Sequence, residues 1–160
     1  MKKLLVLGVV ALMVAPATAD IYTDATGDLN SGFPTGDDFS AFTHLDIAQV
    51  EVTNTATDIS FAVTLVGDIQ ATDWGKYMVA IDSVAGGDTA GNGWGRPISM
   101  TSGMDYWLGT WVDGGGGAET YSWDGAVWNL DNATYNPPSD IGVPVISQFT
   151  TTFTTTLASL

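Results

Sequence analysis

From residue 44 onward the apolar residues recur at every second position, and that period constrains the fold more than any other feature of the chain. Ala48, Val50 and Val52 alternate with Gln49, Glu51 and Thr53, and Ile59, Phe61, Val63 and Leu65 alternate with Ser60, Ala62 and Thr64. As strands these segments each have one apolar face; as helices they have none. The residues from Asn54 to Asp58 have turn chemistry, which predicts an antiparallel hairpin with a rather long connection. Tyr77, Val79 and Ile81 share a face of a strand near 75–83. Tyr106, Leu108, Thr110 and Val112 share one near 104–112, with Trp107 and Trp111 on the opposite face, and a short strand over 98–101 is expected before it. Asp124-Gly125 tolerates the positive φ of a type I′ turn and predicts a tight hairpin between strands at 118–123 and 126–130. Val145, Phe149, Phe153 and Leu157 fall on one face of a Thr-rich final segment.

Beyond the first nineteen residues there is no convincing 3.6-residue stripe, and the glycines, 19 in the whole chain, fit many short strands joined by turns. Two packed antiparallel sheets bury one face of each strand, so the expected fold is an all-β antiparallel sandwich of jelly-roll or immunoglobulin-like type; a closed barrel is the alternative. With no cysteine, stability has to come from a core, from bound ions, or from both. The absence of a composition break gives one domain, residues 20–160.

The start of the chain reads as an export signal. Lys2 and Lys3 precede the apolar run from Leu4 to Val14, and Ala17-Thr18-Ala19 is the small-x-small pattern that signal peptidase reads, so residues 1–19 are expected to be removed and the mature chain to begin at Asp20. That run is shorter than the roughly 20 residues a membrane helix needs. A secreted protein, periplasmic or extracellular, is the expectation.

All 18 acidic residues lie from Asp20 onward, opposed there only by Lys76 and Arg96. Such a charge argues against binding nucleic acid or anionic membranes and favours a setting in which divalent cations occupy carboxylate clusters. Asp20, Asp24, Asp28, Asp37 and Asp38 are interleaved with Gly27, Gly32, Pro34 and Gly36, so several hard oxygens converge from irregular backbone in this reading. Oxygen ligands of that kind select calcium over zinc or copper, and Asp24, Asp28, Asp37 and Asp38 are the candidate ligands; a solvated acidic loop is the competing reading. Two Gly-rich loops, 85–95 and 113–117, are flexible connections before they are ligand loops. The stretch from Asp88 partly imitates an EF-hand loop but has Ala90 at the third position and Ser99 at the twelfth, and Gly114 to Glu119 approaches a single calcium β-roll repeat, of which one copy without a tandem neighbour cannot build the solenoid.

Six tryptophans are the other candidate chemistry. Sugars present C–H faces that stack on indole rings while neighbouring polar side chains take the hydroxyls; core packing is the competing explanation for any single tryptophan. Trp94, in a Gly-rich loop, is expected to be the most exposed. Trp94, Trp107, Trp111, Arg96 and Asp105 are the candidate ligand-binding residues. Catalysis finds little support: His44 is the only histidine, there is no cysteine, and neither a nucleophile elbow nor a phosphate loop occurs. No enzyme is expected.

The segments HLDIAQVEVTNTATDISFAVTLVGDI (44–69), DWGKYMVAID (73–82), NGWGRPISM (92–100) and DYWLGTWVDGG (105–115) resemble secreted bacterial β-sandwich domains of the DOMON-like superfamily. That group includes family 9 carbohydrate-binding modules and the C-terminal domain of glucodextranase. The resemblance spans roughly 20–160 and rests on strand, Asp and Trp positions. It implies a sandwich, binding of a polysaccharide or surface glycan, and calcium near an Asp-rich N-terminal segment. Such domains usually continue past the TTTFTTTLASL strand, so either that strand is an edge open to self-association or the last strands are missing. Two functional classes follow: a secreted non-catalytic glycan-binding module, or an acidic structural protein of the cell surface or extracellular matrix that associates through sheet edges.

Overall fold

The computed structural model describes residues 18–29, 38–69, 74–112, 116–135 and 150–156. Among these residues eight strands form two antiparallel four-stranded sheets, and the chain is an all-β sandwich. The strands are β1 (Thr18–Thr23), β2 (Ile47–Asn54), β3 (Asp58–Leu65), β4 (Lys76–Ile81), β5 (Tyr106–Trp111), β6 (Gly117–Trp123), β7 (Trp128–Tyr135) and β8 (Thr150–Thr156). One sheet runs β1-β2-β3-β8 and the other is the meander β4-β5-β6-β7. Helical structure among the described residues is minor, chiefly a single 3-10 turn over Thr43–Leu45, and no described helix is long and apolar enough to cross a membrane.

The alternation read from the sequence sets the register. Val50 pairs with Val63 and Val52 with Phe61, so the apolar residues of β2 and β3 share the inner face. In the second sheet Tyr77 faces Thr110, Val79 faces Leu108 and Ile81 faces Tyr106. The two inner faces meet in one core of Val63, Leu65, Ile69, Tyr77 and Leu108, against which Val50, Phe61, Val79, Ile81, Tyr106 and Val112 pack. Each fully buried aliphatic side chain there stabilises the fold by about 1.5–3 kcal/mol. Two hydroxyls in the core are satisfied: that of Tyr77 donates to the His44 carbonyl at 3.0 Å, and Thr110 Oγ1 donates to the Gly117 carbonyl at 2.7 Å. Burial pushes the Tyr77 hydroxyl up to about 12. A cleft of about 430 Å³ remains between the sheets beside edge strand β4, lined by Leu45, Val50, Phe61, Tyr77 and Val79 among others.

Two local expectations differ from the structure. Residues 98–101 form no strand: they belong to the long connection 82–105, whose single ladder contact joins Asp88 to Met104. The Asp124-Gly125 turn is a four-residue loop, because Trp123 pairs with Trp128 and Asp124 Oδ1 accepts the N–H groups of both Ala126 and Val127 at 2.9 Å. That carboxylate closes the loop by capping two successive amides, which favours the wider turn over a two-residue one. Edge strand β1 already begins at Thr18, so cleavage before Asp20 leaves Asp20 to Thr23 to pair with β2. Among the described residues β8 pairs with β3 and is last in its sheet; Val145, Phe149 and Leu157 lie outside them.

Candidate functional site

The outer face of the second sheet carries five of the six tryptophans. On β5, Trp107, Gly109 and Trp111 point away from the core, and on β6 their neighbours are Tyr121, Glu119 and Gly117. Two glycines make room for rings: a Cβ at Gly109 would overlap the benzo ring of Trp94, and one at Gly117 would overlap that of Trp111. Trp94 reaches the sheet from the 82–105 connection, which folds across this face. Its ring centroid lies 6.2 Å from Trp107 and 6.1 Å from Trp111. At the far end of β6, Trp123 and Trp128 pair across the hairpin with centroids 5.7 Å apart. Trp94, Trp111, Trp123 and Trp128 stay partly exposed, so the face is an indole platform.

Carboxylates hold the indoles by their N–H groups. Glu119 Oε2 accepts from Trp94 Nε1 at 2.7 Å and from the Tyr121 hydroxyl at 2.9 Å, and Asp88 Oδ2 accepts from Trp128 Nε1 at 2.9 Å. The Ala90 N–H first and the Trp128 N–H second hold the Asp88 carboxyl below its usual range. The connection itself is pinned by two buried polar side chains. Asn92, 4 % exposed, accepts from the Trp94 and Arg96 N–H groups and donates to the Arg96 carbonyl. Asp105, 7 % exposed, accepts the Ser83 N–H at 2.7 Å and the Val84 N–H at 2.9 Å. Burial pushes its carboxyl up, but the Val84 and Ser83 donors outweigh that and leave it lowered.

The five residues expected to bind ligand therefore meet different fates. Trp94, Trp111 and Arg96 come together at the surface, with the Arg96 guanidinium carbon 5.9 Å from the centroid of the Trp94 ring. Trp107 is on the same face but only 2 % exposed, beneath Trp94, and its buried N–H has no acceptor. Asp105 faces backbone amides and clamps the connection. The sequence signal for the arrangement is the spacing Trp107-Leu-Gly109-Thr-Trp111, which leaves a bare patch of backbone between two rings on one face.

Trp74, at 40 % exposed, is the tryptophan that stands furthest into solvent, so the expectation that Trp94 would do so is corrected. It packs edge-on against Phe42 at 5.2 Å and His44 at 4.7 Å, and Phe39 sits 5.6 Å from Phe42. No periodicity links these residues in sequence; the 3-10 turn and the start of the second sheet bring them together. His44 Nε2 is buried without a partner, and burial holds the imidazole below its usual range.

Asp24, Asp28 and Asp38 are exposed, and Asp37 lies outside the described residues. Among the described residues no three acidic or histidine side chains group closely enough to hold a metal ion. One carboxylate nevertheless fits a hard cation. Asp46 is 3 % exposed; its Oδ2 accepts the Gly27 N–H at 2.7 Å, and its Oδ1 is buried with no partner. A buried carboxylate oxygen left bare is costly, and a cation would satisfy it.

The platform offers stacking surfaces, a guanidinium and carboxylates already engaged by indole N–H groups, which is equipment for binding. No protein-family model matches the chain, and neither a curated protein nor a solved structure does.

Proposed function

We propose that this chain is a secreted, non-catalytic carbohydrate-binding module that holds a glycan on the indole platform of its second sheet. The observation that carries the reading is the seating of Trp94 and Trp111 on Gly109 and Gly117, which fixes two part-exposed rings side by side on one rigid sheet. Rings ordered before the ligand arrives lose little entropy on binding, and stacking on sugar C–H faces tolerates many hydroxyl patterns. The resemblance to DOMON-like domains supports the same reading. Titration with a panel of polysaccharides, followed by intrinsic tryptophan fluorescence, tests it: a saturable blue shift or quench that Trp94→Ala abolishes is expected. Silence across the panel would remove the proposal.

A structural calcium ion belongs to this proposal, with Asp46 as its anchor and Asp24 and Asp28 on the loop whose Gly27 amide holds the other Asp46 oxygen. Hard oxygen donors are the chemistry that calcium takes.

The second reading, an acidic surface or matrix protein associating edge to edge, is favoured by one feature. Strand β1, last in its sheet among the described residues, exposes Ile21 at 59 % and Tyr22 at 61 %. Sedimentation that stays monomeric at high protein concentration would dismiss it.

A further inference from the structure

We propose that the glycan is acidic and that Arg96 reads its carboxylate; this rests on the glycan-binding reading above. After Lys3 the chain has two cationic side chains, Lys76 and Arg96, against 18 acids, so an arginine here does not lack for possible partners. Yet Arg96 is exposed, and among the described residues its guanidinium meets only the face of Trp94, 5.9 Å from the ring centroid.

The residue is also held in place from below. Asn92, itself nearly fully buried, accepts the Arg96 N–H at 3.0 Å and donates to the Arg96 carbonyl at 2.8 Å. Clamping both backbone groups of an exposed residue lowers the ordering cost when its side chain engages a ligand. Three other donors at the platform are already committed: the Trp94 N–H and Tyr121 hydroxyl to Glu119, and the Trp128 N–H to Asp88. A ligand on Trp94 and Trp111 thus meets ring faces with the planar donor fork of Arg96 beside them. A sugar carboxylate matches that fork in a bidentate fashion, which a lysine cannot reproduce. The overall negative charge opposes a polyanion at long range, but beyond about 8 Å that field is screened at physiological salt, so a short acidic oligosaccharide is the ligand of choice.

The test uses calorimetry at physiological salt with hexagalacturonate and hexamannuronate, each beside its fully methyl-esterified counterpart, in which the backbone is kept and the charge removed. The acid form of at least one should bind about tenfold or more tightly than its ester, the scale of a hydrogen bond to a charged group. Arg96→Gln should erase that difference and Arg96→Lys should retain only part of it, with thermal melts unchanged because the side chain is exposed. Equal binding of acid and ester, or discrimination that survives Arg96→Gln, overturns the proposal. Preference for a neutral glycan overturns the acidic class while leaving the glycan-binding reading intact, and no binding to any glycan overturns both.

Discussion

The six-membered ring of Trp94 lies directly on the backbone of Gly109, in space that any Cβ at that position would occupy. Because Trp94 comes from the 82–105 connection and Gly109 from the middle of β5, this one contact couples the loop to the sheet. Gly109→Ala should therefore lift Trp94 off the sheet, at a cost of about 1–3 kcal/mol for overpacking. Thermal melting and the emission maximum check it: a lower Tm with a red shift is expected, and an unchanged Tm would mean that the ring is not seated there.

The same contact marks the boundary of what the sequence made legible. Alternation along 48–52, 59–65, 77–81 and 106–112 placed Val50, Phe61, Val63, Leu65, Tyr77, Val79, Ile81, Tyr106 and Leu108 of β2–β5 on the inner face they occupy, because a strand's two faces are separated by every peptide unit. It also put Trp107 and Trp111 on the reverse face. Alternation says nothing about what covers that face, and the cover here is a loop. Its path is fixed by side-chain contacts to backbone amides, such as Asp105 to Ser83 and Asn92 to Arg96, that have no period. Hence the burial of Trp107 beneath Trp94 has no signal in the sequence. Trp74 was given no role, since Phe42 and His44 are some thirty residues away from it in the chain. Counting aspartates likewise pointed to Asp24, Asp28, Asp37 and Asp38, whereas burial singles out Asp46.

Leu108 is 2 % exposed at the meeting of the two sheets. Leu108→Ala should cost about 2–5 kcal/mol, the transfer term plus a cavity. Denaturant unfolding measures it, and a loss well under 1 kcal/mol would contradict a core shared by both sheets.

Stability should fall in acid in two steps. Burial lowers the His44 pKa from 6.5, so the unfolded chain binds the proton first: this contribution is complete above 6.5 and is lost as pH falls through the folded value. Asp88 and Asp124 are lowered from 3.8, chiefly by the Ala90 and Val127 amides respectively, so their contribution is present above 3.8 and is lost below it. Discharge of the other carboxylates relieves repulsion and acts in the opposite direction, so the comparison with His44→Phe isolates the upper step. Tm of the parent chain should drop relative to that variant as the pH falls below 6.5. Parallel curves for the two proteins would show that His44 is not held neutral.

Calcium should raise the Tm and excess chelator should lower it, with Asp46→Asn removing most of the response, because a neutral amide oxygen binds the ion more weakly than a carboxylate. Calorimetric titration supplies the stoichiometry. No heat in the parent chain, together with a Tm indifferent to chelator, would leave the buried Asp46 oxygen without a cation.

The central claim is that the outer face of the second sheet is a preformed glycan platform. The most direct measurement is a fluorescence titration of the parent chain, Trp94→Ala and Trp74→Ala against a polysaccharide panel. A saturable change in the parent chain and in Trp74→Ala, lost in Trp94→Ala while the fold is retained, is the predicted result. Binding that survives without Trp94 but vanishes without Trp74 would place the ligand elsewhere and contradict it.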